Sequence, residues 1–99
     1  MQMEHSGSNE LTIMGNIKSI GDGIAIKEAL RAHLNQGARS IVLVIRDSPL
    51  MTSTVVGFLV KLAAVDKLPL ALVVGDARLY QLLDELNLLR VLNVRCAED

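Results

Sequence analysis

Apolar and polar positions change rhythm several times along this chain, and each change marks an element. In GIAIKEALRAHLNQG (23–37), Ile26, Ala29, Leu30, His33 and Leu34 recur at helical spacing, and Gly37 suits a left-handed stop. Asp22, in the glycine-rich turn SIGDG, is placed to cap that helix. RSIVLVI (39–45) and LPLALVV (68–74) are continuous apolar runs, as expected of strands buried on both faces. ELTIMGNI (10–17) reads as a strand, or as two short ones broken near Gly15. DARLYQLLDELN (76–87) places Leu79, Leu82, Leu83 and Leu86 on one helical stripe, and LRVLNV (89–94) follows as a last short strand. Residues 1–9 are polar and without period, and are expected to form a flexible tail before a single domain over 10–99.

The order is strand, strand, helix, strand, helix, strand, helix, strand. Alternation of this kind predicts an α/β layer fold with parallel crossovers. The middle crossover is MTSTVVGFLV (51–60), where three hydroxyl residues precede a run with no polar side chain. A helix over 53–66 is predicted, with Ser53 or Thr52 as its N-cap. One such cap contributes about 1 kcal/mol, which accounts for one hydroxyl but not for three. Val56, Leu59, Val60 and Ala63 form one apolar stripe of this helix; Val55, Phe58, Leu62 and Val65 form a second. Between them runs a narrow ridge of Thr54, Gly57, Lys61 and Ala64. A surface helix needs only one apolar stripe, so the second requires a cover: either the helix at 76–88 or a partner protein.

Composition narrows the function classes. The chain is 51% hydrophobic with one Phe, one Tyr and no Trp, so its core must be aliphatic. A net charge of −1, with acid and base intermixed, gives no footprint for nucleic acid or an anionic membrane. No apolar run is long enough to cross a bilayer, and MQMEHSGSNE lacks the regions of a secretory signal. The single Cys96 fits a reducing compartment, so a cytoplasmic location is expected.

Candidate chemistry is sparse. His5 and His33 have no further ligand at metal spacing, and Cys96 has no base beside it. No G-x-S-x-G elbow surrounds Ser53, and Gly21-Asp22-Gly23 lacks the rest of a phosphate-binding loop. The sequence therefore predicts a binding module without cofactor, metal or catalytic residue.

The stretch Leu50-Met51-Thr52-Ser53-Thr54-Val55-Val56-Gly57 resembles the signature of STAS domains, specifically bacterial anti-sigma factor antagonists. That signature reads approximately apolar-Met-Asp-Ser-Ser/Thr-Gly-Leu-Gly before an apolar helix. The preceding IVLVI, Gly15 and the downstream DARLYQLLDELNLLRVL match the family's pattern and spacing, so the resemblance spans about Leu11 to Val94. It differs at Thr52, where the family has Asp, and at Val55, where it has Gly. The resemblance implies a STAS fold: a mixed, mostly parallel sheet of about four or five strands packed by three or four helices. It implies a partner-switching role in transcription control, with two partners. One is a serine-kinase anti-sigma factor of the GHKL ATPase fold, which phosphorylates Ser53 and releases the antagonist. The other is a PP2C-type phosphatase that restores the binding form. Thr54 is the weaker acceptor. Thr52, Thr54, Val55, Phe58, Lys61 and Leu62 are the partner-contact residues this reading expects, with Val55 and Phe58 at its centre. Some members dock without phosphorylation on a transporter or signalling complex, which is the alternative. Pairing of two copies through the second stripe stays open.

Overall fold

The structure, a computed structural model, describes residues 1–97. Its elements in chain order are β1 (Gln2–His5), β2 (Glu10–Met14), α1 (Ile20–Asn35), β3 (Ile41–Ile45), α2 (Ser53–Val60), β4 (Leu70–Val74), α3 (Ala77–Glu85) and β5 (Val94–Cys96). The five strands form one sheet in the order β1-β2-β3-β4-β5, with β1 antiparallel to β2 and the rest parallel. This is the α/β fold with parallel crossovers that the alternation predicts, in a mixed, mostly parallel sheet as the resemblance implies.

Each β-α-β crossover steps one strand in the same direction. Because such crossovers share one hand, the helices gather on one face of the sheet. The burial pattern follows: Leu11 and Ile13, Leu43 and Ile45, and Leu72 and Val74 are fully enclosed. Val42, Val44, Ala71 and Val73, which alternate with them, are only half-buried. The strands at 41–45 and 70–74 were expected to be buried on both faces; one face of each is covered. Burying a large aliphatic side chain contributes about 1.5–3 kcal/mol, and the enclosed set, with Ile26 and Leu30 of α1, Leu59 of α2 and Leu79 and Leu83 of α3, forms the core.

Residues 2–5 are not a tail. Gln2, Met3, Glu4 and His5 pair with Met14, Ile13, Thr12 and Leu11. All four are exposed, so backbone pairing rather than side-chain burial makes this edge strand, and periodicity cannot reveal it. Side chains reinforce it: Ser6 Oγ and Thr12 Oγ1 lie 2.8 Å apart, and His5 Nδ1 lies 2.8 Å from His33 Nε2 on α1. His33 Nδ1 donates to the Ser8 carbonyl at 2.8 Å, which leaves Nε2 to accept from His5. The two histidines, 28 residues apart, thus fasten the first hairpin to α1.

Other boundaries shift for local reasons. The cap of α1 is Ser19, not Asp22. Ser19 Oγ accepts from Asp22 N, and the Asp22 carboxylate accepts from Lys18 N and Ser19 N, a reciprocal capping box. Gly37, at φ +100°, ends the helix as expected. The helix expected over 53–66 keeps α geometry only to Val60. It then widens to a π turn over Lys61–Val65, closed by Asp66 N donating to Lys61 O at 3.0 Å. LRVLNV is mostly turn: Leu92 N bonds back to Leu88 O, Asn93 has φ +49°, and the strand begins only at Val94.

Candidate functional site

Parallel strands bring the starts of their following helices to one edge of the sheet, beyond the strands' carboxyl ends. Ser19, Thr52 and Asp76 cap α1, α2 and α3 at that edge. The β2–α1 and β3–α2 loops are stitched together there. Asp47 Oδ2 accepts from Gly15 N at 3.1 Å. Ser48, fully buried, accepts from Ile17 N at 3.0 Å and donates to the Leu50 carbonyl at 2.6 Å. This fixes the residue just before the MTST motif.

Within the motif, Met51 is buried and Thr52 takes the N-cap, its hydroxyl accepting from Val55 N at 3.4 Å. Ser53 and Thr54 therefore stand in the first turn outside the cap, both exposed. No acidic side chain lies in that turn, so the positive end of the helix dipole is unopposed from within it. An anion on the Ser53 hydroxyl would meet favourable electrostatics.

The expected contact face is corrected by burial. Val55, Phe58 and Leu62 are 1%, 9% and 4% exposed, so these three belong to the core rather than to an open surface. For Val55 and Phe58 the cover is α1, not the helix at 76–88. A Cβ on Gly23 of α1 would stand 2.6 Å from Thr52 Oγ1 and 3.5 Å from Val55 Cγ2. Further along, Lys27 Nζ and the Arg31 guanidinium lie 5.5 and 5.7 Å from the centre of the Phe58 ring, on which both cations rest. Thr54 and Lys61 are exposed, as the contact reading requires, and with Gly57 and Ala64 they form the expected ridge. Val65, placed in the same stripe as Val55, Phe58 and Leu62 by its spacing, ends the π turn and is 68% exposed.

Exposed apolar residues at this edge lie outside the contact set named from sequence. Gly23, Lys27 and Arg31 run along α2, and Ile20 and Ile24 share that side of α1 at helical spacing. They flank Gly23, which meets Thr52, and are 75% and 46% exposed, while Leu50 is 60% exposed on the adjoining loop. Leu50 separates two shallow hollows. One, of about 260 Å³, is bordered by Asn16, Lys18 and Ser48; the other, of about 410 Å³, by Arg78, Leu82 and Glu85. Arg78 is tied to Asp76, with Nε–Oδ1 at 3.0 Å and Nη2–Oδ2 at 2.7 Å, and this pairing holds the Asp76 carboxyl below its ordinary value. Sequence alone placed Ile20 in a turn and Leu50 at the head of the signature, and no periodicity marks them as surface.

Among the described residues no group of three or more His, Cys, Asp or Glu side chains is placed to hold a metal ion, and no helix is long and apolar enough to cross a membrane. The fold and this edge define a small α/β domain with a capped, hydroxyl-bearing helix start rimmed by exposed aliphatic residues. Comparison with protein-family models, with curated proteins and with solved structures finds no match to the chain.

Proposed function

We propose that this chain is a STAS-like anti-sigma factor antagonist, a cytoplasmic binding module switched by phosphorylation of Ser53. Its partner is a serine-kinase anti-sigma factor of the GHKL ATPase fold, and a PP2C-type phosphatase reverses the switch. The carrying observation is the exposed Ser53 in the first turn of α2, with Thr52 supplying the cap. The γ-phosphoryl group of ATP would pass to Ser53 Oγ with release of ADP, the hydroxyl proton going to a base of the kinase, and the product carries nearly two added negative charges. The helix start tolerates that charge, so the domain stays folded. A partner resting on Ile20, Ile24 and Leu50 would instead have to bury the new dianion, and it dissociates.

The two departures from the family's signature fit this reading. Thr52 keeps the capping oxygen that an Asp would supply and omits its charge. Val55 points its bulk inward, against the space that Gly23 leaves on α1, and so does not obstruct a partner's approach.

The test is binding of the wild type, Ser53→Asp and Ser53→Ala to a GHKL-fold serine kinase from the same cells. The wild type and Ser53→Ala bind, and Ser53→Asp loses at least tenfold in affinity. Equal binding by all three would favour the alternative, a STAS subunit that docks without phosphorylation on a transporter or signalling complex.

A further inference from the structure

The face of the sheet turned away from the helices has a composition that solvent alone does not explain. The register aligns one row across all five strands: Glu4 with Thr12, Thr12 with Val44, Val44 with Val73 and Val73 with Arg95. Beside it, Glu10 pairs with Val42 and Val42 with Ala71. The centre of this face is thus Val42, Val44, Ala71 and Val73. Parallel strands are usually covered on both faces, whereas a face meant for water alternates in polar residues. These four positions are aliphatic and half-exposed.

The charges on this face are sorted by side. Glu4 and Glu10 lie on the β1–β2 flank and Arg95 of β5 at the opposite one, while Arg46 follows the central strand β3. Among the described residues the ion pairs are Lys61–Asp66 and Arg78–Asp76, so none of these four charges has a partner within them. The neighbouring Asp47 carboxylate is engaged by Gly15 N. A trough of about 530 Å³, bordered by Glu4, Thr12, Val44, Arg46 and Ala97, crosses the face.

We propose that this face docks against the same face of a second copy of the chain. In such a pair the two-fold axis lies in the plane between the sheets. An axis running along the strands exchanges the flanks: acidic β1–β2 meets the basic side of the partner, and valines meet valines. An axis across the strands would lay Glu4 on Glu4 and Arg95 on Arg95. Charge therefore selects the first arrangement, with strands aligned to within the roughly 30° found between packed sheets. Five strands and three side-chain rows cover roughly 400 Å² in plan, less than the ~800 Å² per partner of a standard interface. The dimer is accordingly weak and concentration-dependent. The helices lie on the other face, so both copies keep Ser53 accessible, and the inference does not depend on the proposed switch.

The test is sedimentation of the full chain from about 20 μM to about 1 mM, the range a small interface requires. The wild type shifts from monomer toward dimer as concentration rises. Glu4→Arg and Arg95→Glu, each shown folded by circular dichroism, each weaken self-association about tenfold or more. Mixing the two variants restores it, because in the mixed pair both reversed charges face their complements. A wild type that stays monomeric at about 1 mM, a dimer indifferent to both reversals, or a mixture that stays monomeric would overturn the proposal.

Discussion

Gly57 and Phe58 are neighbours on α2 but face opposite worlds. Gly57 has nothing within 4 Å of where a Cβ would stand, while Phe58 is 9% exposed and lies beneath two cations of α1. The inner side of the helix is therefore a matter of packing: Val55, Phe58, Leu59 and Leu62 tie it to the core. The outer side, from Ser53 and Thr54 through Gly57 to Lys61, carries almost no folding energy and is free to be read by something else. One helix thus separates the residues that hold the fold from an outer side left free for the proposed contact, and substitutions should separate them too.

The largest effect is expected inside. Leu59 is fully buried, so Leu59→Ala should lower stability by about 2–5 kcal/mol in a denaturant melt. Gly23→Ala comes next. Helix propensity alone favours Ala by up to ~1 kcal/mol. The added methyl, however, would stand 2.6 Å from Thr52 Oγ1 and displace the cap, so a net loss of about 1–2 kcal/mol is predicted. A stabilised Gly23→Ala would show that α1 and α2 do not meet as closely as described. Removing the cap directly, Thr52→Ala, should cost about 1 kcal/mol. On the outer side, Thr54→Ala and Lys61→Ala should each change stability by less than about 0.5 kcal/mol, while altering partner affinity if the ridge is a contact surface. The Lys61–Asp66 pair, at 4.0 Å and open to solvent, does not alter that expectation.

Acid gives a smaller and slower break. The Asp22 carboxyl is held below its usual 3.8, first by the Lys18 amide and then by that of Ser19. A depressed folded-state pKa contributes stability above the unfolded value, and that contribution disappears as pH falls through the lower folded value. The melting temperature should therefore decline below about pH 3.8 through the α1 cap, and Asp22→Asn should flatten that part of the profile.

The legible parts of the fold were those written in side-chain period. The strands at 41–45 and 70–74, the Leu30 face of α1 and the Leu79–Leu83 stripe of α3 emerge from apolar spacing because burial made them. β1 did not, since its four exposed residues are held by backbone bonds and by a histidine pair that joins distant positions. At the candidate site, hydroxyl clustering marked the start of α2 and the ridge of Thr54, Gly57, Lys61 and Ala64. It could not tell what covers the second apolar stripe, because spacing along a helix does not say which element lies against it. Only α1, through Gly23 and the two cations over Phe58, decides the matter. For the same reason the exposed Ile20, Ile24 and Leu50 were invisible in sequence: nothing in their spacing distinguishes a surface aliphatic residue from one in a turn.

The central claim is that the first turn of α2 is a phosphate switch. Phosphosite mass spectrometry on the protein recovered from its own cells, with and without a co-expressed serine kinase, tests it most directly. The account predicts phosphate on Ser53 that rises with the kinase and is absent from Ser53→Ala. A protein that stays unmodified at Ser53 beside its active kinase would contradict it.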